Sequence, residues 1–172
     1  MRQLNLFDAI EIPLTKGFVA LVDPVDSDLA VLNWHANPKG YAEKYDPVSR
    51  GKMHLHRIML SRKIGGALLP DELVDHINGN RCDNRRSNLR IATAAQNLRN
   101  VKRHADNQSG YKGVTWNTRQ EMWLARICVD YKSIHLGYFH DPLDAALAYD
   151  EAARRYFDTF ARCNFPAPGG DE

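Results

Sequence analysis

The sequence predicts an α+β protein built from two small modules. Short apolar runs bounded by Gly, Pro, Asn and Asp alternate with a few helix-like segments, which is typical of small antiparallel sheets joined by short helices. A polar stretch at residues 101–110, VKRHADNQSG, divides the 172 residues and is typical of a linker. Charge divides them as well, because residues 50–104 carry twelve Lys and Arg against four Asp and Glu, whereas residues 1–49 and 105–172 are net acidic.

The first module opens with a strand-rich flank followed by one helix. Residues 12–44 include the runs LTKGFVALVD and AVLNWHANPKGYAEKY, in which turn-forming residues interrupt short apolar groups, so short antiparallel strands are expected there. Between residues 53 and 64 the apolar positions recur at helical spacing. Gly65 and Gly66 are expected to end this helix.

The centre of the basic segment carries the motif that predicts function. Residues 73–99 read LVDHINGNRCDNRRSNLRIATAAQNLR, in which a short strand is expected to end at Asp75 and His76 and the Asn/Gly-rich loop leads to a return strand. Thr93 opens a TAAQ capping-box pattern, so a helix should follow with Asn97 in its first turn. Strand, loop, strand and helix can thus bring Asp75, His76 and Asn97 to one point.

The residue types at that point indicate phosphodiester chemistry. His76 has an imidazole that titrates near neutral pH and suits a general base that takes a proton from an attacking water. Asp75 and Asn97 supply hard oxygen ligands for Mg²⁺ or Mn²⁺, and so sparse a site should hold the metal weakly until DNA phosphate oxygens join it. Asn88 is expected to hydrogen-bond either the loop backbone or the imidazole.

The same residues also have a structural interpretation that involves no catalysis. Asp-His followed by Asn-Gly is also a common surface hairpin, and a basic stretch is often only a solvated face. The combination of spacing, capping box and local positive charge favours a catalytic centre, whose arginines would grip the DNA backbone. These arginines are Arg81, Arg85, Arg86, Arg90 and Arg99. Among the other histidines, His56 could contact phosphate, although a helix-packing role is the simpler interpretation.

Residues 10–103, with this motif and the flanking LHRIML and IPLTKGFVALVD, resemble the HNH endonuclease family, in particular the phage and intron-encoded homing endonucleases. The resemblance implies a ββα-metal (His-Me finger) fold that cleaves double-stranded DNA with a divalent metal. It implies His76 as the general base, Asn88 as the support of the loop and Asp75 as the first metal ligand. Asn97 falls on the last ligand position, where the family has His or Asn.

The second module is expected to be a three-stranded antiparallel sheet plus one helix. The runs YKGVTW, MWLARICVD and SIHLGYF are strand-like and separated by turn-prone residues. An alanine-rich helix should follow over residues 142–157, with Asp141 as N-cap and Pro142 at its first position. The small side chains of its alanines would let the helix lie close against the sheet.

Residues 109–166 resemble the integrase-like DNA-binding domain best known from plant ethylene-response factors, through YKGV, WLARI, HLGYF, the alanine-rich helix and NFP. The resemblance implies that the sheet enters the major groove of DNA, although the first strand lacks the several arginines of the plant proteins, so their target sequence does not transfer. The residues it implies as DNA-facing are Lys112, Thr115, Trp116, Arg119, Trp123, Arg126, Lys132 and His135. For the two tryptophans, a place in the core of the sheet is an equally open interpretation.

Composition limits the remaining possibilities. Three cysteines lie far apart without a CxxC pattern, which is typical of reduced intracellular thiols. No apolar run approaches about 18 residues, and we expect a soluble cytoplasmic protein, in the bacterial host cell if phage-encoded, with no membrane and no obligatory protein partner. The predicted domains are residues 1–104 (nuclease), 105–109 (linker), 110–166 (sheet module) and 167–172 (disordered tail).

Two functions from different classes follow. The first is a metal-dependent DNA endonuclease whose site is selected partly by the C-terminal sheet module. The alternative is a non-catalytic, sequence-specific DNA-binding regulator that keeps a degenerate nuclease scaffold, which Asn97 in the last ligand position leaves open.

Overall fold

Short strands and Gly- or Asn-rich turns dominate the chain, as a computed structural model that describes residues 9–101 and 107–166 shows. The strands are β1 (Ile10–Pro13), β2 (Val19–Val22), β3 (His35–Ala36), β4 (Ala42–Asp46), β5 (Gly51–His54), β6 (Leu73–His76), β7 (Leu89–Ala92), β8 (Val114–Asn117), β9 (Met122–Val129) and β10 (Lys132–Phe139). The helices are α1 (Leu55–Ile64), α2 (Ala94–Arg99) and α3 (Pro142–Phe157). The mixed fold with small antiparallel sheets agrees with the predicted α+β class.

The chain forms two compact units that divide between Thr93 and Ala94. This division lies earlier than residue 104, the predicted end of the first module, so α2 and Asn97 belong to the second unit. Of the predicted linker, residues 105 and 106 lie outside the described residues, as does the predicted tail at 167–172. Asn107 and Ser109 are folded onto the start of β8, because Asn107 Nδ2 donates to the carbonyl of Tyr111 (2.9 Å) and Ser109 Oγ donates to that of Val114 (2.9 Å).

Helix α1 organises the first unit. It begins directly after β5 and ends at Gly65, whose φ of 69° is the left-handed conformation that glycine adopts most easily. The predicted helix is confirmed, except that its first two residues belong to β5. Leu55, Met59 and Leu60 of α1 are buried in the core of this unit. The core also takes residues from the antiparallel pairs β1–β2, β3–β4–β5 and β6–β7.

The long loop between β6 and β7 is joined to β2. The amide of Leu21 donates to the carbonyl of Cys82 (2.7 Å), and the amide of Asn84 donates back to the carbonyl of Leu21 (2.8 Å). Further along the loop, Arg86 makes two hydrogen bonds to the fully buried carboxylate of Asp26 (2.8 and 2.7 Å). Residues of the strand-rich flank therefore hold the loop between β6 and β7 in place through these hydrogen bonds.

The second unit has the predicted sheet and helix. Strands β8, β9 and β10 form an antiparallel sheet in the order β10–β9–β8, and α3 covers one of its faces. The side chain of Asp141 caps α3 by accepting from the amide of Leu143 (2.8 Å), as expected. Ala145, Ala146 and Ala153 are fully buried, which confirms that the helix lies close against the sheet. Within the described ranges, no helix is both long and apolar enough to cross a membrane.

Candidate active site

Strand β6 ends with the two residues that the motif singled out. Asp75 and His76 are 6% and 5% exposed, respectively. They pair across the hairpin with Arg90 and Leu89 of β7, which places them at the point where the long loop begins. Two polar side chains held in this way at a strand end have a fixed direction, which is what a catalytic pair requires.

The imidazole of His76 is oriented by Asn84. The Asn84 amide group donates through Nδ2 to the carbonyl of Cys82 (3.0 Å), which directs its Oδ1 towards His76 Nε2 at 3.3 Å. An amide oxygen only accepts, so Nε2 must carry the proton and Nδ1 the lone pair that a base uses. Burial lowers the pKa of His76, although the Asn84 hydrogen bond partly opposes this, so the ring is neutral at neutral pH.

Asn88, one of the predicted site residues, holds the loop. Its Oδ1 accepts from the amide of Asn78 (3.0 Å), its Nδ2 donates to the carbonyl of Asp83 (2.7 Å), and its own carbonyl accepts from the amide of Ile77 (2.9 Å). Asn88 was expected to hydrogen-bond either the loop backbone or the imidazole of His76, and these three hydrogen bonds are all to the backbone. Asn84, which sequence reasoning missed, reaches the imidazole, and its sequence signal was weak because it is one of four asparagines in the same loop.

The carboxylate of Asp75 is held by Arg90. Both Nε and Nη2 of Arg90 donate to Asp75 Oδ2, at 2.8 and 2.6 Å. The side chain of Arg90 is only 16% exposed, so this ion pair is largely withdrawn from water. Arg90 therefore differs from an arginine that extends from the surface towards a phosphate.

The other predicted backbone-gripping arginines also contact groups within their own units. Arg81 donates to the carbonyl of Lys39 (2.7 Å), and its guanidinium lies 4.9 Å from the ring centroid of Tyr41. Arg85 pairs with Asp83 (2.7 Å). Arg86 pairs with Asp26 as described above, and Arg99 of the second unit pairs with Asp130 (3.3 Å). Their contact with DNA stays a prediction, and for Arg86 the buried partner indicates a structural role in the loop.

Two aromatic rings pack against the imidazole of His76. The ring centroids of Tyr41 and His56 lie 5.9 and 5.5 Å from that of His76, and His56 also contacts Tyr41 and His54. Burial, together with nearby positive charge, lowers the pKa of His56 to about 3, so its ring is neutral. These contacts agree with the helix-packing interpretation of His56.

The predicted metal ligands are divided between the two units. Asp75 lies at the end of β6, and Asn97 lies half-buried on α2. Among residues 9–101 and 107–166, no three His, Cys, Asp or Glu side chains converge in a metal-binding arrangement. The chemistry of the donors nevertheless fits Mg²⁺ or Mn²⁺, since both side chains offer hard oxygens and the Asp75 carboxylate already binds a cationic group.

The predicted DNA-facing residues of the second unit do not share one face. Thr115, Arg126 and His135 lie on the face away from α3, and Arg126 pairs directly across the sheet with His135. Arg119 and Lys132 are exposed at the two turns. Trp116 and Trp123 pair on the side that carries buried Val114 and Ala125, with ring centroids 5.1 Å apart.

Lys112 lies apart from the others. Its Nζ donates to the carbonyl of Arg99 (2.7 Å), and burial lowers the pKa of the amine to about 8. Trp123 is half-buried and packs against the core under α3, whereas Trp116 remains 46% exposed. The structure therefore favours a core position for Trp123 and leaves Thr115, Arg126 and His135 as a shared outer face.

The role of Asn84 can be tested by substitution. Asn84→Ala is expected to remove the proton acceptor at His76 Nε2, and Asn84→Asp to keep an acceptor there. The ¹⁵N chemical shifts of the His76 ring, measured at pH 8, should therefore report the Nε2–H form in wild type and Asn84→Asp and a mixture of both tautomers in Asn84→Ala.

Asn80→Ala is the matched control in the same loop. Its Oδ1 accepts from the amide of Cys82 (3.1 Å), so its loss disturbs the loop without removing the acceptor at His76. If Asn84→Ala kept the wild-type tautomer, the assigned role of Asn84 would be wrong. A shift in Asn80→Ala would instead show that the loop as a whole sets the tautomer.

The chain is similar to one protein family and to two viral proteins. Residues 53–99 match the family described as HNH endonuclease, a segment that spans α1, β6, β7 and α2. The chain is 39% identical over 131 residues to an uncharacterised HNH endonuclease of Acanthamoeba polyphaga mimivirus, which covers 76% of this chain and 66% of that protein, just under two thirds. It is 33% identical over 89 residues to Protein 3.8 of Escherichia phage T7, which covers 52% of this chain and 73% of that protein.

Proposed function

Because residues 53–99 belong to the HNH endonuclease family, we propose that this chain is a divalent-metal-dependent endonuclease that hydrolyses phosphodiester bonds in double-stranded DNA. The observation that carries the proposal is the Asp75-His76 pair, buried at the end of β6 with its imidazole neutral and its tautomer set by Asn84. A neutral imidazole with a fixed lone pair is ready to accept a proton at neutral pH.

His76 is the general base in this proposal. Its Nδ1 takes a proton from a water molecule whose oxygen attacks the phosphorus. The P–O bond to the leaving nucleotide breaks, and the leaving oxygen takes up a proton from solvent. Asp75 and Asn97 are the residues that would hold the metal. When bound, the metal supplies positive charge beside the phosphate and the leaving oxygen. Asn88 acts indirectly, since its hydrogen bonds keep the loop closed around His76.

The nuclease centre would then be a ββα-metal arrangement made of β6, β7 and α2. The antiparallel pairing of β6 with β7 and the start of α2 directly after Thr93 support it, because they supply two strands and a helix in the order that a ββα arrangement requires.

The sheet of the second unit is proposed to take part in choosing the DNA site. Support comes from the resemblance of residues 109–166 to the integrase-like domain and from the outer face that Thr115, Arg126 and His135 share. Arginine and histidine can donate to guanine edges or to phosphates in the major groove.

A plasmid assay tests the nuclease activity directly. Purified protein is expected to nick or linearise supercoiled DNA with Mg²⁺ or Mn²⁺, and EDTA should abolish the reaction. Asp75→Asn is a near-isosteric control that should lose most of the metal-dependent activity. Binding of DNA without cleavage under any of these metal conditions would instead support the non-catalytic regulator.

The outer face of the sheet can be tested separately. The double substitution Arg126→Ala/His135→Ala is expected to weaken DNA binding by about thirtyfold or more and to reduce discrimination between sites, because each base contact contributes on the order of 1–3 kcal/mol. Electrophoretic mobility shifts on a pool of random duplexes, followed by sequencing of the bound fraction, would measure both effects.

Arg155→Ala is the charge-matched control, since Arg155 is exposed on α3 and not on the sheet. It should leave site discrimination unchanged. Equal site preferences in the double variant and in wild type would contradict a role for this face of the sheet.

A further inference from the structure

The contact between Arg90 and Asp75 has a geometry that a DNA-backbone contact does not need. Two donors of one guanidinium converge on the single oxygen Asp75 Oδ2, at 2.8 and 2.6 Å. The two residues are direct cross-strand partners in the β6–β7 hairpin, so the strands themselves hold the pair together. Asp75 is 6% exposed, and the Arg90 side chain 16%.

Such burial makes each charge depend on the other. A carboxylate withdrawn from water is costly without a cation beside it, and the same holds for a guanidinium without an anion. A divalent metal at Asp75 would therefore meet a carboxylate whose charge is already compensated, and the metal and Arg90 would repel each other. For the metal to bind well, Arg90 needs another anion.

A DNA phosphate is the anion that an active site of this kind supplies. Guanidinium groups bind phosphate oxygens with the same paired donors that they use for carboxylates. On the premise of the nuclease function proposed above, we propose that Arg90 is a positioning residue that holds Asp75 in the free protein and exchanges it for a DNA phosphate, which releases the carboxylate to the metal.

The exchange couples the two ligands of the site. Metal and DNA each favour the state in which the Arg90–Asp75 pair is open, so each must increase the affinity for the other by the same factor. In the free protein the closed pair keeps metal affinity low. Arg90 would thus restrict metal loading to the DNA-bound protein.

The test measures metal binding rather than cleavage. Mn²⁺ binding to the full-length chain is followed by electron paramagnetic resonance with and without a random-sequence duplex, in a His76→Ala background that prevents hydrolysis. Arg90→Gln removes the positive charge but keeps hydrogen-bond donors. Without DNA, this substitution is expected to lower the Kd for Mn²⁺ by about tenfold, as expected for the loss of one nearby repelling charge.

The gain in Mn²⁺ affinity on adding DNA should also be smaller in Arg90→Gln than in the parent. A merely structural role predicts the opposite, because a partner that only orients a metal ligand weakens metal binding when it is lost. Arg90→Lys, which keeps the positive charge but not the paired donors, should stay within about threefold of the parent Kd because the repulsion of the metal is retained. Arg62→Gln, which removes arginine–carboxylate contacts with both Asp28 and Asp26, should leave the Kd unchanged.

A second measurement uses protein that retains Arg90 and compares its spectrum with and without Mg²⁺ and DNA. The Nε–H signal of Arg90, assigned by its loss in Arg90→Lys, should shift in the NMR spectrum when Mg²⁺ and DNA are added together, because the acceptor changes from carboxylate to phosphate. This measurement decides the question if Arg90→Gln does not fold.

The outcomes separate this inference from the function on which it rests. Unchanged or weaker Mn²⁺ binding in Arg90→Gln, or an Nε–H signal unaffected by Mg²⁺ and DNA, would overturn the exchange while leaving the nuclease proposal intact. If the intact wild-type protein neither binds Mn²⁺ with DNA nor cleaves DNA, the proposed function itself fails.

Discussion

His76→Ala is expected to lower the rate of DNA cleavage by about a thousandfold, within the range for loss of a general base. The substitution removes the imidazole whose proton position Asn84 sets, and with it the group that accepts the proton from water in the proposed reaction. DNA affinity should remain within about twofold of wild type, since a neutral ring contributes little to binding a phosphate backbone. Single-turnover cleavage and mobility-shift titrations on the same DNA measure the two effects.

His140→Ala is a suitable control for this experiment. His140 is an exposed histidine that follows β10 in the second unit and has no place in the proposed centre. It should cleave at the wild-type rate. Cleavage by His76→Ala at a rate close to wild type would remove His76 from its proposed role, and a loss of folding, visible by circular dichroism, would call for His76→Gln instead.

Gly113→Ala is expected to destabilise the second unit strongly. Gly113 has a φ of +80°, and a Cβ built there would lie 1.9 Å from Cδ2 and 2.4 Å from Cε2 of the Tyr149 ring. Tyr149 cannot retreat, because it is 4% exposed and packs with Ile127, Ala153 and Phe157. The combined overpacking and backbone strain should cost about 3 kcal/mol or more of the free energy of unfolding.

Thermal unfolding followed by circular dichroism would measure this effect. A loss of that size corresponds to a fall of roughly 10–20 °C in the midpoint for a unit of this length. Gly110→Ala is the matched control, since Gly110 has a similar φ of +78° but open space around it. Its cost should be limited to backbone strain, about 1 kcal/mol. Equal midpoints for the two variants would contradict the close contact with Tyr149.

The local elements were predictable because their signals lie within a few residues of each other. Gly65 after an apolar helical repeat, Asp141 before Pro142, and the Asn-Gly loop after β6 are short-range patterns, and the structure confirms α1, α3 and the β6–β7 pair that they predict. An HNH endonuclease domain, matched over residues 53–99, is confirmed as well. The resemblance of residues 109–166 to the integrase-like domain stays a prediction.

Which side chains bind each other was not predictable, because the partners are far apart in sequence or lie on different strands of a sheet. Nothing local shows that Arg90 faces Asp75, that Arg86 bonds Asp26, or that Asn84 reaches His76. A basic segment therefore predicted surface arginines, whereas several of them neutralise buried carboxylates. Trp123 and Arg126 were both expected to face DNA, and only the strand pairing and the packing of α3 show that Trp123 lies on the buried side.

The contacts that join the β6–β7 loop to β2 and to the residues that follow it determine when the active site forms during folding. Arg86 binds Asp23 and Asp26 across separations of 63 and 60 residues, and the loop also pairs with Leu21. Contacts of such long range form late, because the chain must first close a large loop. The arrangement around His76 should therefore mature only after the N-terminal strands have docked, so a newly made chain would acquire catalytic competence in one late, concerted step.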